Sequence, residues 1–207
     1  MSASTIPHRE IRAHYTEDTV IVYQAYSTEI GASAVRHQRL DASPKFSTTR
    51  MTWIKPSWAW MLYRSDYSYK DPGQECILAL SVKKAVFIEL LTTAIVTPAI
   101  MTIKLATGKV ESLSRVRVQW DPERTVRLEK LPHRSIQVGV PGAHVENLIE
   151  GICLIEDVTE RARELKRQLD ESPEVDVVDL RARGLVPDEK PLTISEELRR
   201  VLKMEEQ

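Results

Sequence analysis

One stretch of this 207-residue chain gathers side chains that do chemistry together. Residues 53–69 interleave the cations Lys55 and Arg64 and the hydroxyls Ser57 and Ser65 with Trp53, Trp58, Trp60, Tyr63, Tyr67 and Tyr69. Aromatic faces stack a base or a nicotinamide ring, and cations beside them hold phosphates. The competing use of the same residues is packing, with the Trp rings as core filler and the Lys55 and Arg64 stems laid over them. A second stretch, VQWDPER at 118–124 with HRSIQV at 133–138, carries Glu123 and Gln137 among Arg117, Arg124, Arg127 and Arg134. These residues line the mouth of a cleft if the two strands are neighbours. Otherwise they form an exposed polar strand face and a solvated turn at Asp121-Pro122.

The standard catalytic signatures are absent, which narrows the chemistry. There is no CxxC and no HExxH, and His8, His14, His37, His133 and His144 share no metal-ligand spacing, so no metal is expected. No glycine-rich loop joins a strand to a helix, and no serine sits in a GxSxG elbow. Cys76 and Cys153 lie far apart, and neither has an obvious activating neighbour.

The 29 basic and 30 acidic residues nearly cancel, so any nucleic acid or membrane must be recognised by a local patch. The first ten residues hold no apolar run of the signal-peptide kind, and the longest apolar stretch, 85–103, is broken by Glu89, Pro98 and four threonines. A cytoplasmic or nuclear protein without a membrane segment is the expectation. All twelve aromatics lie between Tyr15 and Trp120. From Glu160 onward, ten basic and thirteen acidic residues make a highly charged tail.

Periodicity supplies the elements that position the candidate residues. TVIVYQAY at 19–26 is a strand, followed by a helix over 29–38 with Ile30, Ala34 and Val35 on one face. A polar loop, 41–49, leads to the short strand MTWIKP, which Pro56 ends. SWAWMLYRSDY is a helix with Trp58, Met61, Leu62 and Ser65 on one face. After a turn at 71–73 come a strand at 77–82, a helix at 85–97 and a hairpin turning at Thr107-Gly108. SRVRVQW and SIQVGV alternate as half-buried strands, the first ended by Asp121-Pro122. A short helix at 143–149 precedes ICLIEDV, which reads as a core strand. A helix at 160–169 opens the tail, Glu171 to Pro191 reads as mobile or extended, and Thr193 with Glu196 caps a last helix. The partition is a flexible 1–9, one α+β domain over 10–159 with mostly antiparallel sheets and flanking helices, and a charged tail, 160–207, with two short helices.

The segments IRAHYTEDTVIVYQAY, RMTWIKPSWAWMLYRSDY, PGQECILALSV and VRVQWDPER with RSIQVGV resemble, in this order, the family catalogued as domain of unknown function 4291. That resemblance implies no activity. The order of elements also resembles the ADP-ribosyltransferase fold, which implies NAD as cofactor and transfer of ADP-ribose to an acceptor. The resemblance puts Tyr23, Gln24 or Tyr26 on the strand that holds NAD. It puts Ser57, Tyr63 and Arg64 near the cofactor, with Lys55 and Arg64 on its pyrophosphate. Gln137 or Ser135 stands where that fold has a glutamate for the nicotinamide ribose, and Glu123 is the substitute from the adjacent turn. The alternative is a single-stranded RNA-binding or RNA-processing domain, its bases stacked on the Trp/Tyr cluster and its phosphates met by Arg115, Arg117, Arg124, Arg127 and Arg134.

Overall fold

The computed structural model describes residues 6–97 and 114–206, so the expected hairpin at Thr107-Gly108 lies outside the described residues. The chain forms a mixed α+β fold whose sheets are antiparallel except for one short pair. Strand β2 (Thr19–Tyr26) pairs along its whole length with β4 (Cys76–Lys83), and β4 pairs with β8 (Ile152–Asp157). A second sheet runs β3 (Thr52–Ile54), β7 (Lys130–Val140), β6 (Arg117–Arg124) and β5 (Ile95–Val96). Among the described residues the two sheets meet at a single backbone bridge, where Tyr23 N–H donates to Lys55 O at 2.7 Å and Lys55 N–H returns to Tyr23 O at 3.2 Å.

Alternation along the first sheet buries both of its faces. Val20, Val22, Leu78, Leu80 and Val82 point into one apolar core with α3 (Lys84–Thr92), α4 (Gly142–Gly151) and the inner residues of β6 and β7. Tyr23, Ile77 and Ala79 point into a second core, filled by Trp58, Met61 and Leu62 of α2 (Trp58–Ser65) and by Ala162 and Leu165 of α5 (Thr159–Glu171). Helix α1 (Thr28–His37) lies close on β4, because a Cβ at Gly31 would stand 2.2 Å from Cys76 Sγ. No helix among the described residues is long and apolar enough to cross a membrane.

Several expectations change. Helix α3 stops at Thr92 rather than at Thr97. The Thr92 and Thr93 hydroxyls donate to the carbonyls of Glu89 and Leu90, and Ile95–Val96 then pairs with β6 in parallel. Strand β6 does not end at Asp121-Pro122 but runs on to Arg124. Among the described residues its pairing beyond Val118 is with β7 alone, so the missing Pro122 N–H costs no second ladder there, and a register shift follows it. Strand β8 is an edge strand with only Ile155 buried, not a core strand. Its open side is met by the Gln38 side chain, which donates to Ile155 O and accepts from Ile155 N–H, both at 2.9 Å.

The charged C-terminal stretch is packed into the body. Helix α5 sets ion pairs such as Arg167 with Glu164 and Glu171 on its outer face and buries Ala162, Leu165 and Leu169 beneath. The segment read as mobile or extended instead forms α6 (Val177–Ala182), buries Leu180, Leu185 and Val186, and ends in β9 (Lys190–Pro191), which pairs with β1 (Arg12–Ala13). Ser195 rather than Thr193 caps α7 (Glu196–Val201), accepting from Leu198 N–H. Beyond α7, Leu202 is fully buried and its carbonyl accepts from the Trp120 indole at 2.9 Å. Leu202→Ala should therefore cost about 2–5 kcal/mol by urea denaturation; a wild-type midpoint would show that this leucine is not core.

Candidate functional site

A cleft of about 730 Å³ opens beside the Tyr23–Lys55 bridge, walled by the end of β2, by β3, by α2 and by the loop before β3. The bridge is isolated: beyond Tyr23 no backbone pair joins β2 to β3 among the described residues, and the end of β2 faces the cleft. Gln24 and Tyr26, two residues apart, share that face. Tyr26 Oη donates to Gln24 Oε1 at 2.9 Å, and Gln24 Nε2 donates to Trp53 O at 3.0 Å. Burial pushes the Tyr26 hydroxyl well above the usual phenol range, so it remains a donor.

Lys55 also lines the cleft, although the residue is only 6 % exposed. Its Nζ donates to Trp53 O at 3.0 Å and lies 5.4 Å from the centre of the Trp60 ring. Among the described residues no carboxylate stands within ion-pairing distance of it. Burial first, and the Arg64 charge second, push its ammonium down to about 7, with Asp121 pulling the other way. Gln137 faces the same cleft from β7, its amide nitrogen donating to Asp121 Oδ2 at 2.6 Å and to Gln119 Oε1 at 2.9 Å. Asp121 is buried, which holds its carboxyl above the usual range against the pull of Gln137 and Lys55.

Arg64 is exposed at the opening, tied by Nη1 to Gln74 Oε1 at 2.9 Å. Lys45 and Arg50 join it as cations, Phe46, Trp53 and Trp60 present aromatic surface, and Asp71 is the one acidic lining residue among those described. The wall therefore combines amides, rings and positive charge, the set that holds a nucleotide or another phosphorylated ligand. No group of three or more His, Cys, Asp or Glu side chains among the described residues is arranged to hold a metal ion.

Five of the residues named from sequence thus converge: Gln24, Tyr26, Lys55, Arg64 and Gln137. Four do not. Tyr23 points to the other face of β2, its ring 5.0 Å from that of Trp58 in the second core. Ser57 is buried as the N-cap of α2, accepting from Trp60 N–H at 3.1 Å and donating to Glu123 Oε1 at 2.9 Å. Glu123 is spent on that hydroxyl and on Arg124 N–H, away from the cleft. Tyr63 lies under the Arg124 guanidinium, 3.8 Å from ring centre to carbon.

The five arginines proposed for phosphates make no common stripe. Arg115 donates to Thr93 O, Arg124 to Leu128 O, Arg127 to Leu169 O and Val175 O, and Arg134 to Trp120 O and His8. Arg117 also has interaction partners. They act mainly as internal struts that tie β6 and β7 to their surroundings.

Sequence reasoning missed three contributors. Asp121 was given to a turn, because Asp-Pro is a turn signal and nothing in the sequence shows its strand continuing. The pair Lys45-Phe46 was given to a polar loop, although an aromatic beside a cation in such a loop was the available signal. Glu189 was assigned to the tail. Its carboxylate accepts Trp58 N–H at 2.7 Å, at the N-terminus of α2 where a negative charge meets the helix dipole.

Burial, with the Glu123 charge adding to it, nevertheless pushes the Glu189 carboxyl up to about 8, the Trp58 bond opposing. The proton is then held more tightly in the folded protein than in the unfolded one. Stability is full below the ordinary glutamate value of 4.5 and falls as pH rises toward 8. Glu189→Gln, which carries no such proton, should gain about 2 kcal/mol on wild type between pH 5 and 7. Parallel pH profiles of urea unfolding for the two proteins would rule this linkage out.

The described residues define an α+β protein with a cation-rimmed cleft at the junction of its two main sheets. The chain belongs to the DUF4291 family, described as a domain of unknown function, whose profile matches residues 10–192. That match extends past α5 to the β1–β9 ribbon, in keeping with the packing of those elements on the body. No curated protein matches the sequence.

Proposed function

We propose that the cleft binds NAD and that the protein acts as an ADP-ribosyltransferase-like enzyme, cleaving the bond to nicotinamide and passing ADP-ribose to an acceptor. The observation that carries this reading is the convergence of Gln24, Tyr26, Lys55, Arg64 and Gln137 on one cleft. Its volume falls within the range of small-molecule sites. The order of elements and the position of the cleft between two sheets support the ADP-ribosyltransferase-like reading of the fold.

In this reading Arg64, with Arg50 and Lys45, holds the pyrophosphate, and Phe46, Trp53 and Trp60 offer ring surfaces. Gln24 and Tyr26 form a donor–acceptor pair that orients the nicotinamide half. As nicotinamide leaves, positive charge grows on the ribose carbon, and a preorganised negative dipole lowers that barrier. Gln137 supplies the dipole. Its amide nitrogen is engaged by Asp121 and Gln119, which leaves the carbonyl oxygen for the ligand and puts a carboxylate behind it. Asp121 is thus a positioning residue that acts through Gln137.

Calorimetric titration with NAD and ADP-ribose tests binding, and nicotinamide release tests turnover. Arg64→Ala should weaken binding roughly tenfold or more while the fold is kept, the value of a lost charge-assisted bond. Asp121→Asn should slow release far more than it weakens binding. No heat and no thermal stabilisation at millimolar NAD would remove this function from consideration.

A further inference from the structure

We propose that Lys55 is a nucleophilic amine that captures the carbonyl carbon of a phosphorylated aldehyde or open-chain sugar held in the cleft, forming an imine. The proposal uses the same cleft as the nucleotide reading but does not require NAD. Free ADP-ribose belongs to the same chemical class, because its terminal ribose opens to an aldehyde.

Four features of the position support the assignment. Lys55 is the only lysine among the described residues that is buried, yet its side chain forms part of the cleft wall. The hydrogen bond of its Nζ goes to a neutral acceptor, Trp53 O at 3.0 Å, and among the described residues no carboxylate pairs with it. A buried, unpaired ammonium is costly and sheds its proton, leaving a lone pair. The groups that act on it electrostatically are Arg64, which disfavours the ammonium, and Asp121, which favours it. Trp60 flanks the nitrogen at 5.4 Å, and Arg64 stands at the opening where a phosphate would be held. Phosphate and amine are thereby separated into two roles, one cation for binding and one neutral amine for attack.

The atoms balance without any further reagent. The Nζ lone pair forms a bond to the carbonyl carbon while the C=O π pair moves to oxygen. That oxygen leaves as water, taking both amine protons, and the nitrogen keeps a double bond to the carbon. The Asp121 charge, which favours positive charge on this nitrogen, would stabilise the protonated imine.

The full-length protein is treated at pH 7 with pyridoxal 5′-phosphate, a phosphorylated aldehyde, and the imine is fixed with borohydride before peptide mass mapping. The adduct should concentrate on the Lys55 peptide at roughly tenfold or more the rate at exposed Lys70 and Lys83, because ordinary lysines are almost wholly protonated there. Lys55→Arg should abolish that adduct. Arg64→Ala should slow labelling by the phosphorylated aldehyde far more than labelling by pyridoxal, its neutral counterpart, because only the former loses a phosphate contact as well as the charge that disfavours the ammonium. Labelling spread over lysines by exposure alone, or an unmodified Lys55 peptide in wild type, overturns the proposal without need of any variant. A Lys55 adduct in a protein that gives no response to NAD removes only the nucleotide reading; NAD binding with no Lys55 adduct removes only this one.

Discussion

The backbone bridge between Tyr23 and Lys55 is the contact on which the arrangement of the molecule depends. It is the one bridge joining the two main sheets among the described residues, and it fixes which way each neighbour points. With Tyr23 turned into the second core, alternation sends Gln24 and Tyr26 in the cleft sequence and Val22 into the first core. On the other strand, the same bridge sets Lys55 at the cleft wall. Ser57 and α2 follow at once, so the helix that roofs the second core is also the helix that carries Trp60 and Arg64 to the cleft. Fold and site therefore share a single junction, and Gln24 continues it by a side-chain bond to Trp53 O where backbone pairing has stopped.

Around this junction the protein buries ionisable groups that a core alone would exclude. Lys55 is displaced downward and Asp121, Glu123 and Glu189 upward, each chiefly by loss of water. Burying such groups is unfavourable, and the two apolar cores that flank the β2–β4 sheet offset it. The groups fall into two sets with different roles. Lys55, Asp121 and Gln137 face or adjoin the cleft. Ser57 and Glu189 instead satisfy the first N–H groups of α2, with Glu123 accepting from the Ser57 hydroxyl, so the helix that carries cleft residues is anchored from behind by β6 and the C-terminal segment.

The local periodicity of the sequence was enough to place most of this. The β2, β3, α1, α2, β4 and β7 segments each carried a clear pattern, and because β2, β3 and β7 were right, the cleft positions of Gln24, Lys55 and Gln137 followed. What could not be read was whatever depends on a partner distant in sequence. Asp121-Pro122 carries a turn signal that is overridden by pairing with Ser135 and Arg134. Ile95–Val96 continues the apolar pattern of α3 but is drawn off by β6. The C-terminal segment has few large apolar residues, and Leu180, Leu192 and Leu202 become core only because the faces they cover are built earlier in the chain. Tyr23 and Ser57 were placed by the element order of a resembled fold and Glu123 as a carboxylate in an adjacent turn, whereas their direction is set by strand alternation and by capping of α2.

Gln38 shows how little chain is needed to give a sheet an end. Sitting in the left-handed conformation at the close of α1, it offers one amide group in the place where another strand would offer a peptide unit. The exposed Cys153 and Leu154 of β8 thus lie beside a backbone whose central donor and acceptor are already taken. A stranger's strand would have to evict that amide before it could zip onto β8. One side chain thereby stands as a doorstop at the middle of this edge.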